Sequence, residues 1–323
     1  MYGHAGVAEL LLGHEDIEVN LPRRSDGATP LCLAAGNGHV EFVELLLAQE
    51  DIEVNKSTHN AATPLYAAAL HGHTRVVELL LSHRDILVSL AFGQGVTPLH
   101  IATENGHARV VEALLKHRHI ALNIQDESGS SALHIAAIYG NHRVASMLLK
   151  AEGIQINPAD LDGATPLLVA AQMGHERLVE LLLREADILV NQPMTDGSTP
   201  LIWAALMGHH RVAEELLRHP DIEVNQDWND GSTPLLHAAE KGHDKVVRLL
   251  LNKEGVEANR ATILGLTPLF MAAEERHGNI VEMLLRKDEV RAVRWAGWRP
   301  QRRGRVQRRR RGLVGAGGAR LPL

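Results

Sequence analysis

Residues 199–217 read "TPLIWAALMGHHRVAEELL", and the fold follows from how often this stretch returns. Thr-Pro pairs begin at Thr29, Thr63, Thr97, Thr165, Thr199, Thr233 and Thr267, and Ser131-Ala132 fills the vacant slot, so the step is 34 residues throughout. A fixed period of this size marks a solenoid, in which no unit buries its apolar face alone and each does so by stacking on its neighbours. The chain of 323 residues is therefore expected to form one repetitive body. Its hydrophobic fraction is 45% with only 3% aromatic residues, so the core must be Leu, Val and Ala in closely packed helical layers.

Residues 61–95 show how one unit is built. Thr63 can accept a hydrogen bond from a free N–H of the first helical turn, and Pro64 sits where its missing N–H costs nothing. The first helix starts there and runs through Leu65, Ala68 and Ala69 to Gly72, a residue suited to the left-handed geometry that ends a helix. "TRVVELLLSH" then places Val76, Leu79, Leu80 and Leu81 on one helical face. "RDILVS" combines β-favouring residues with turn formers and predicts a projecting loop or hairpin.

The period of 34 is shared with tetratricopeptide repeats, but those need a Trp-Leu-Gly-Tyr framework and have no Thr-Pro start. Here the signature is "TPLHIA" at residues 97–102, "TPLYAA" at 63–68, "SALHIA" at 131–136 and "TPLLVA" at 165–170, each followed by "GH", "GN" or a close variant. On these motifs the chain strongly resembles the ankyrin-repeat family over roughly residues 1–294. The resemblance implies an all-α ankyrin-repeat solenoid of stacked helix-turn-helix units with projecting hairpin loops, in a variant of 34 residues. One departure is that only His100 and His134 keep the histidine of "TPLH", which weakens the histidine network typical of the family.

The domain reading is a repeat array over 1–290, with a partial first unit and eight registered repeats, and an Arg/Gly-rich disordered tail over 291–323. Gly3-His4 closes a helix whose beginning is absent, so the chain reads as a fragment or an incomplete gene model. "VRAVR" from Val290 starts another unit in register with "VEANR" from Val256, and then Gln301-Arg302 stand where Thr-Pro is due. Three readings of the tail stay open: a shifted frame or splice product, a nuclear-localisation or nucleic-acid patch in "RRGRVQRRRR", or a solvated extension. The tail holds eleven arginines and no acid within a total charge of −6, which leaves −17 on residues 1–290. A body of that sign favours basic partners and repels nucleic acid.

Catalysis finds no residues to carry it. The histidines His39, His73, His107, His175, His209 and His243 occupy the "GH" slot one repeat apart, which makes a row and not a tetrahedral metal cluster. Close pairs such as His71 with His73 lack Cys or acidic partners at ligand spacing. HExxH, Walker A and Rossmann glycine patterns are absent. Cys32, the single cysteine, falls in a core slot of the first helix, and one cysteine fits a reducing compartment. No stretch of about 18 apolar residues predicts a membrane span. The expectation is a monomeric, non-enzymatic, cytoplasmic binding protein without metal or cofactor, nuclear as well if the tail is genuine.

The family resemblance implies that binding uses the loop fingers and the exposed end of the first helix. In that slot, layers in the middle of the array present Ile138, Tyr139, Met173, Leu206 and Met207, while the flanking layers carry pairs such as Gly36-Asn37 and Glu274-Glu275. The fingers add Leu161, Met194 and Trp228 among Asp126, Glu127, Asp162, Asp196 and Asp230. These eight apolar residues are expected to bind a protein partner, the competing reading being that they pack on adjacent fingers for stability. The alternative function is a structural spacer in a larger multidomain protein whose activity lies elsewhere.

Overall fold

The computed structural model describes residues 5–14, 16–287 and 290, and the predicted tail, 291–323, lies outside the described residues. Within them stand seventeen helices and no strand. A first helix, α1 (Ala5–Leu12), precedes eight antiparallel pairs, from Pro30–Gly36 with Val40–Leu47 to Pro268–Glu274 with Gly278–Leu285. Helices stack in two layers, each first helix on the first helices of the neighbouring units and each second helix on the second helices.

Local chemistry sets each pair. Thr29, Thr63, Thr97, Ser131, Thr165, Thr199, Thr233 and Thr267 are all N-caps, their hydroxyls accepting the N–H three residues on at 3.1–3.5 Å. The second helices have no such side-chain cap. Their N-cap residue is a histidine, or Asn141 in one unit, and in every unit but that of His39 its side chain is hydrogen-bonded elsewhere. A leucine at the seventh position of every second helix, from Leu46 to Leu284, is fully buried, as is the leucine after each Thr-Pro from Leu31 to Leu235. Each such side chain contributes about 1.5–3 kcal/mol by leaving water.

The expected hairpins are tight turns. Phe92 with Val96 and Gln125 with Ser131 make isolated bridges, and the finger tips close by an N–H to C=O bond over four residues, as from Trp228 to Ser232 at 2.9 Å. Asp126 and Asp160 shape their turns by accepting backbone N–H groups two and four residues on. The β-favouring residues Ile86 and Val88 are buried under the helices, and this packing, not strand pairing, explains their presence.

Three hydrogen-bonded columns join successive units. The histidine of "GH" crosses to the last turn of the preceding first helix in five units: His73, His107, His175, His209 and His243 meet the carbonyls of Gly36, Leu70, Ile138, Gln172 and Leu206 at 3.0–3.2 Å, whereas His39 Nε2 is buried with no hydrogen-bond partner among the described residues. Asn141, in a "GN" repeat, donates to Thr103 and Glu104. These bonds satisfy carbonyls that a helix end leaves without a partner. A second column is asparagine: Asn20, Asn55, Asn123, Asn157, Asn191 and Asn225 each donate to a carbonyl of the next unit at 2.6–2.8 Å and accept one of its N–H groups at 2.8–3.0 Å. The third links finger tips through backbone bonds such as Leu161 N–H to Ser128 C=O at 3.2 Å.

Glycine before the histidine serves the first column twice. At Gly208, φ is +76°, and a Cβ there would stand 2.6 Å from the His243 ring. Only a residue without a side chain both turns the chain and lets the next unit's ring approach. Two non-glycine residues take the same strained region, Ala61 at φ +67° and Arg276 at φ +64°. Ala61 stands where the other fingers place Gly27, Gly95, Gly129 and their successors.

His100 and His134 have a different role, as parts of capping boxes. The Ser131 N–H donates to His134 Nδ1 at 3.1 Å, while Nε2 meets the Ala164 carbonyl at 2.9 Å, an arrangement that uses both nitrogens of the neutral ring. Burial pushes both rings below the ordinary value of 6.5.

Two outcomes follow from these features. Ala61→Gly relieves a left-handed alanine and is expected to raise stability by about 1 kcal/mol in urea unfolding, and no gain would mean that the turn carries no strain. For the buried histidines, the unfolded chain binds protons that the folded rings refuse, so stability is full above about 6.5 and is lost as pH falls from there toward the lowered folded value. Replacing both with Leu, the residue found in that slot at Leu168 and Leu236, should flatten the loss of melting temperature between about pH 7 and 5. An unchanged slope would assign the acid sensitivity to other groups.

Candidate protein-binding surface

The surface is built on the last turn of the first helices. In every unit the second member of the slot is exposed, whether Asn37, His71, Asn105, Tyr139, Met173, Met207, Lys241 or Glu275. The first member lies half-buried, because the following unit's second helix begins over it and its carbonyl receives the crossing histidine. Glu274, in the final described unit, is exposed for want of that cover among the described residues.

This rule divides the eight predicted residues. Tyr139, Met173 and Met207 are 42%, 48% and 50% exposed and form a file on three successive layers. Leu161 at a finger tip is 75% exposed. Ile138, Leu206 and Met194 are partly buried and packed against the core. Trp228 is half-buried in an aromatic cluster, 4.9 Å from the His237 ring in a T-shaped contact and 6.3 Å from Trp203. For these last four the stabilising role is visible in the packing, so the open part of the stripe is narrower than the sequence suggests.

Tyr139 is held in place. Its hydroxyl donates to Glu104 Oε1 of the preceding unit at 2.8 Å, and burial together with that carboxylate pushes its pKa up to about 12. The ring is thus fixed before any contact is made, which reduces the entropy lost on binding. At the far end of the file, Glu240 is drawn down to about 2 by His237 and by Lys241, which lies 3.2 Å away. That unit presents a paired charge where the preceding unit presents Met207.

Other chemistry finds little to use. Cys32 is buried and its thiol is pushed up to about 11, chiefly by burial and then by Asp26, the reverse of what a nucleophile requires. Among the described residues no three His, Cys, Asp or Glu side chains are placed to hold a metal ion. An open cleft of about 450 Å³ between second helices is lined by Glu78, Arg109, Glu112 and Lys116, with Lys116 paired to Glu112 at 2.7 Å. No described helix is long and apolar enough to cross a membrane.

Sequence reasoning missed the asparagine column, although "VN" recurs with the period of the repeat and was the available signal. It also missed His277, which reaches the Glu240 carbonyl at 3.1 Å from a repeat that reads "RH" in place of "GH".

Four matches to the family model of ankyrin repeats in three copies tile residues 1–90, 82–160, 152–227 and 220–293. The chain belongs to the ankyrin-repeat family. Among solved structures, the ankyrin repeat domain of Bcl-3, described as a unique member of the IkappaB protein family, aligns with a TM-score of 0.63 and 26% identity. The alignment covers 71% of this chain and 100% of that one. No curated protein matches this ankyrin-repeat chain.

Proposed function

We propose that this ankyrin array is a non-catalytic docking module whose protein partner lies across the inner face formed by the ends of the first helices and the fingers. One observation supports this above others: three successive layers set a large apolar side chain, Tyr139, Met173 and Met207, about half exposed in a slot that the neighbouring layers fill with Asn105 and Lys241. Large apolar groups gain about 1.5–3 kcal/mol each when a partner covers them fully, and aromatic residues and methionine are typical interface anchors. Stacked repeats supply a rigid support, since the middle units that carry the file are each bonded to the next at three heights. A partner then meets preset side chains and orders few of them on binding.

The test compares substitutions one residue apart. Met173→Glu with Met207→Glu should leave the melting temperature within about 2 °C of the parent and abolish partner recovery by a photo-crosslinker placed at Asn105. Leu206→Glu, which buries a charge in the layer contact, should lower the melting temperature by several degrees. Unchanged crosslinking in the folded methionine variants would remove the face from consideration as the docking site.

A further inference from the structure

The docking reading leaves the chemistry of the partner open, and the fingers beside the file narrow it. Four consecutive fingers, residues 120–131, 154–165, 188–199 and 222–233, hold eight acids and no Lys, Arg or His. Among the described residues, of these acids only Asp227 is paired with a cation, Arg260 at 2.8 Å, while Glu127, Asp162 and Asp230 are exposed. Asp126, Asp160, Asp196 and Asp230 each spend a carboxylate oxygen on their own turn, which fixes the charge in position without neutralising it. The first three of these fingers lead directly into the helices that end in Tyr139, Met173 and Met207, so the fixed negative charge and the apolar file belong to the same layers.

Spacing adds a constraint. Packed helices lie about 8–10 Å apart, and an extended chain in the polyproline II conformation advances about 3.1 Å per residue with about three residues per turn. One layer therefore corresponds to about one turn of such a partner, and every third side chain falls on one face. Tyr139, Met173 and Met207 each occur once per layer, and a segment lying across them would present apolar side chains at its positions 1, 4 and 7.

We propose that the occupant of this face is an extended, lysine- or arginine-rich protein segment that carries an apolar side chain at every third position. The apolar groups rest on Tyr139, Met173 and Met207, and the intervening cations face the acidic fingers. The proposal rests on the docking reading above and goes beyond it in stating charge and spacing. The same band of acids disfavours nucleic acid and anionic lipid, whose phosphates it would repel.

A library of random peptides of about twelve residues, displayed and selected on the full-length protein at low salt, tests both layers of the argument. The expected peptides are cationic, with apolar residues three apart. Their binding should weaken at least about tenfold on the Tyr139→Ser/Met173→Ser/Met207→Ser variant. It should weaken by about threefold or more, with loss of salt dependence, on Glu127→Gln/Asp162→Asn. All five positions are at the surface or lack a side-chain role in the turns, and an unchanged melting curve checks that each variant is folded. Selected peptides that need the three apolar residues but are neutral or acidic, and bind alike at low and high salt, would overturn the cationic partner and leave the docking reading standing. Peptides that ignore the triple variant, or a selection that yields none, would overturn both.

Discussion

Most units of this array depend on a histidine they do not own. In six units the ring at the start of the second helix leaves its own helix uncapped and reaches back to a carbonyl of the preceding unit, as His209 does to Gln172, and Asn141 does the same in a seventh. A first helix of seven or eight residues has too few internal bonds to be stable alone. The crossing bond satisfies one of its terminal carbonyls, and the neighbour's helix buries its Ala-Ala face, so each unit is completed from outside. The left-handed glycine is a consequence, because any Cβ at that position would collide with the arriving ring.

The same bond organises the surface. The carbonyl that receives the histidine belongs to the first residue of the exposed slot, and so that residue is drawn under the next unit while the second stays open. Function and stability are thereby assigned to adjacent positions: Leu206 holds layers together and Met207 is free to face a partner. The asparagine column does a comparable service at the opposite height, fixing the loops from which the acidic fingers project. Because the columns repeat, the array can vary its exposed slot from Asn37 to Tyr139 to Glu275 without altering the contacts that hold the layers.

Much of the fold was legible in the sequence because its determinants are local and periodic. Thr-Pro starts a helix by its own hydroxyl and ring, and the recurrence at 34 residues reveals stacking before any contact is known. The candidate face was legible only by half. Counting two residues from the alanines locates the slot, but which member is covered depends on the following unit, and for Ile138 and Leu206 that cover appears only once the layers are assembled. Trp228 looked like a projecting anchor for the same reason, whereas Trp203 and His237 from two other positions in the array enclose it. His277 shows the converse limit. Its motif is broken by Arg276, yet the ring keeps its place, because the neighbour's carbonyl and not the glycine determines where it goes.

The central claim is that the crossing hydrogen bond, and not merely a filled volume, joins the layers. Asn141 already performs this role with a smaller side chain, which supplies the comparison. The most direct measurement is the unfolding free energy of His209→Asn beside His209→Ala. The account predicts that the asparagine variant stays within about 0.5 kcal/mol of the parent while the alanine variant loses about 1–2 kcal/mol, the cost of a buried carbonyl left without its donor. Equal losses in the two variants would contradict it and would make the histidine a packing residue only.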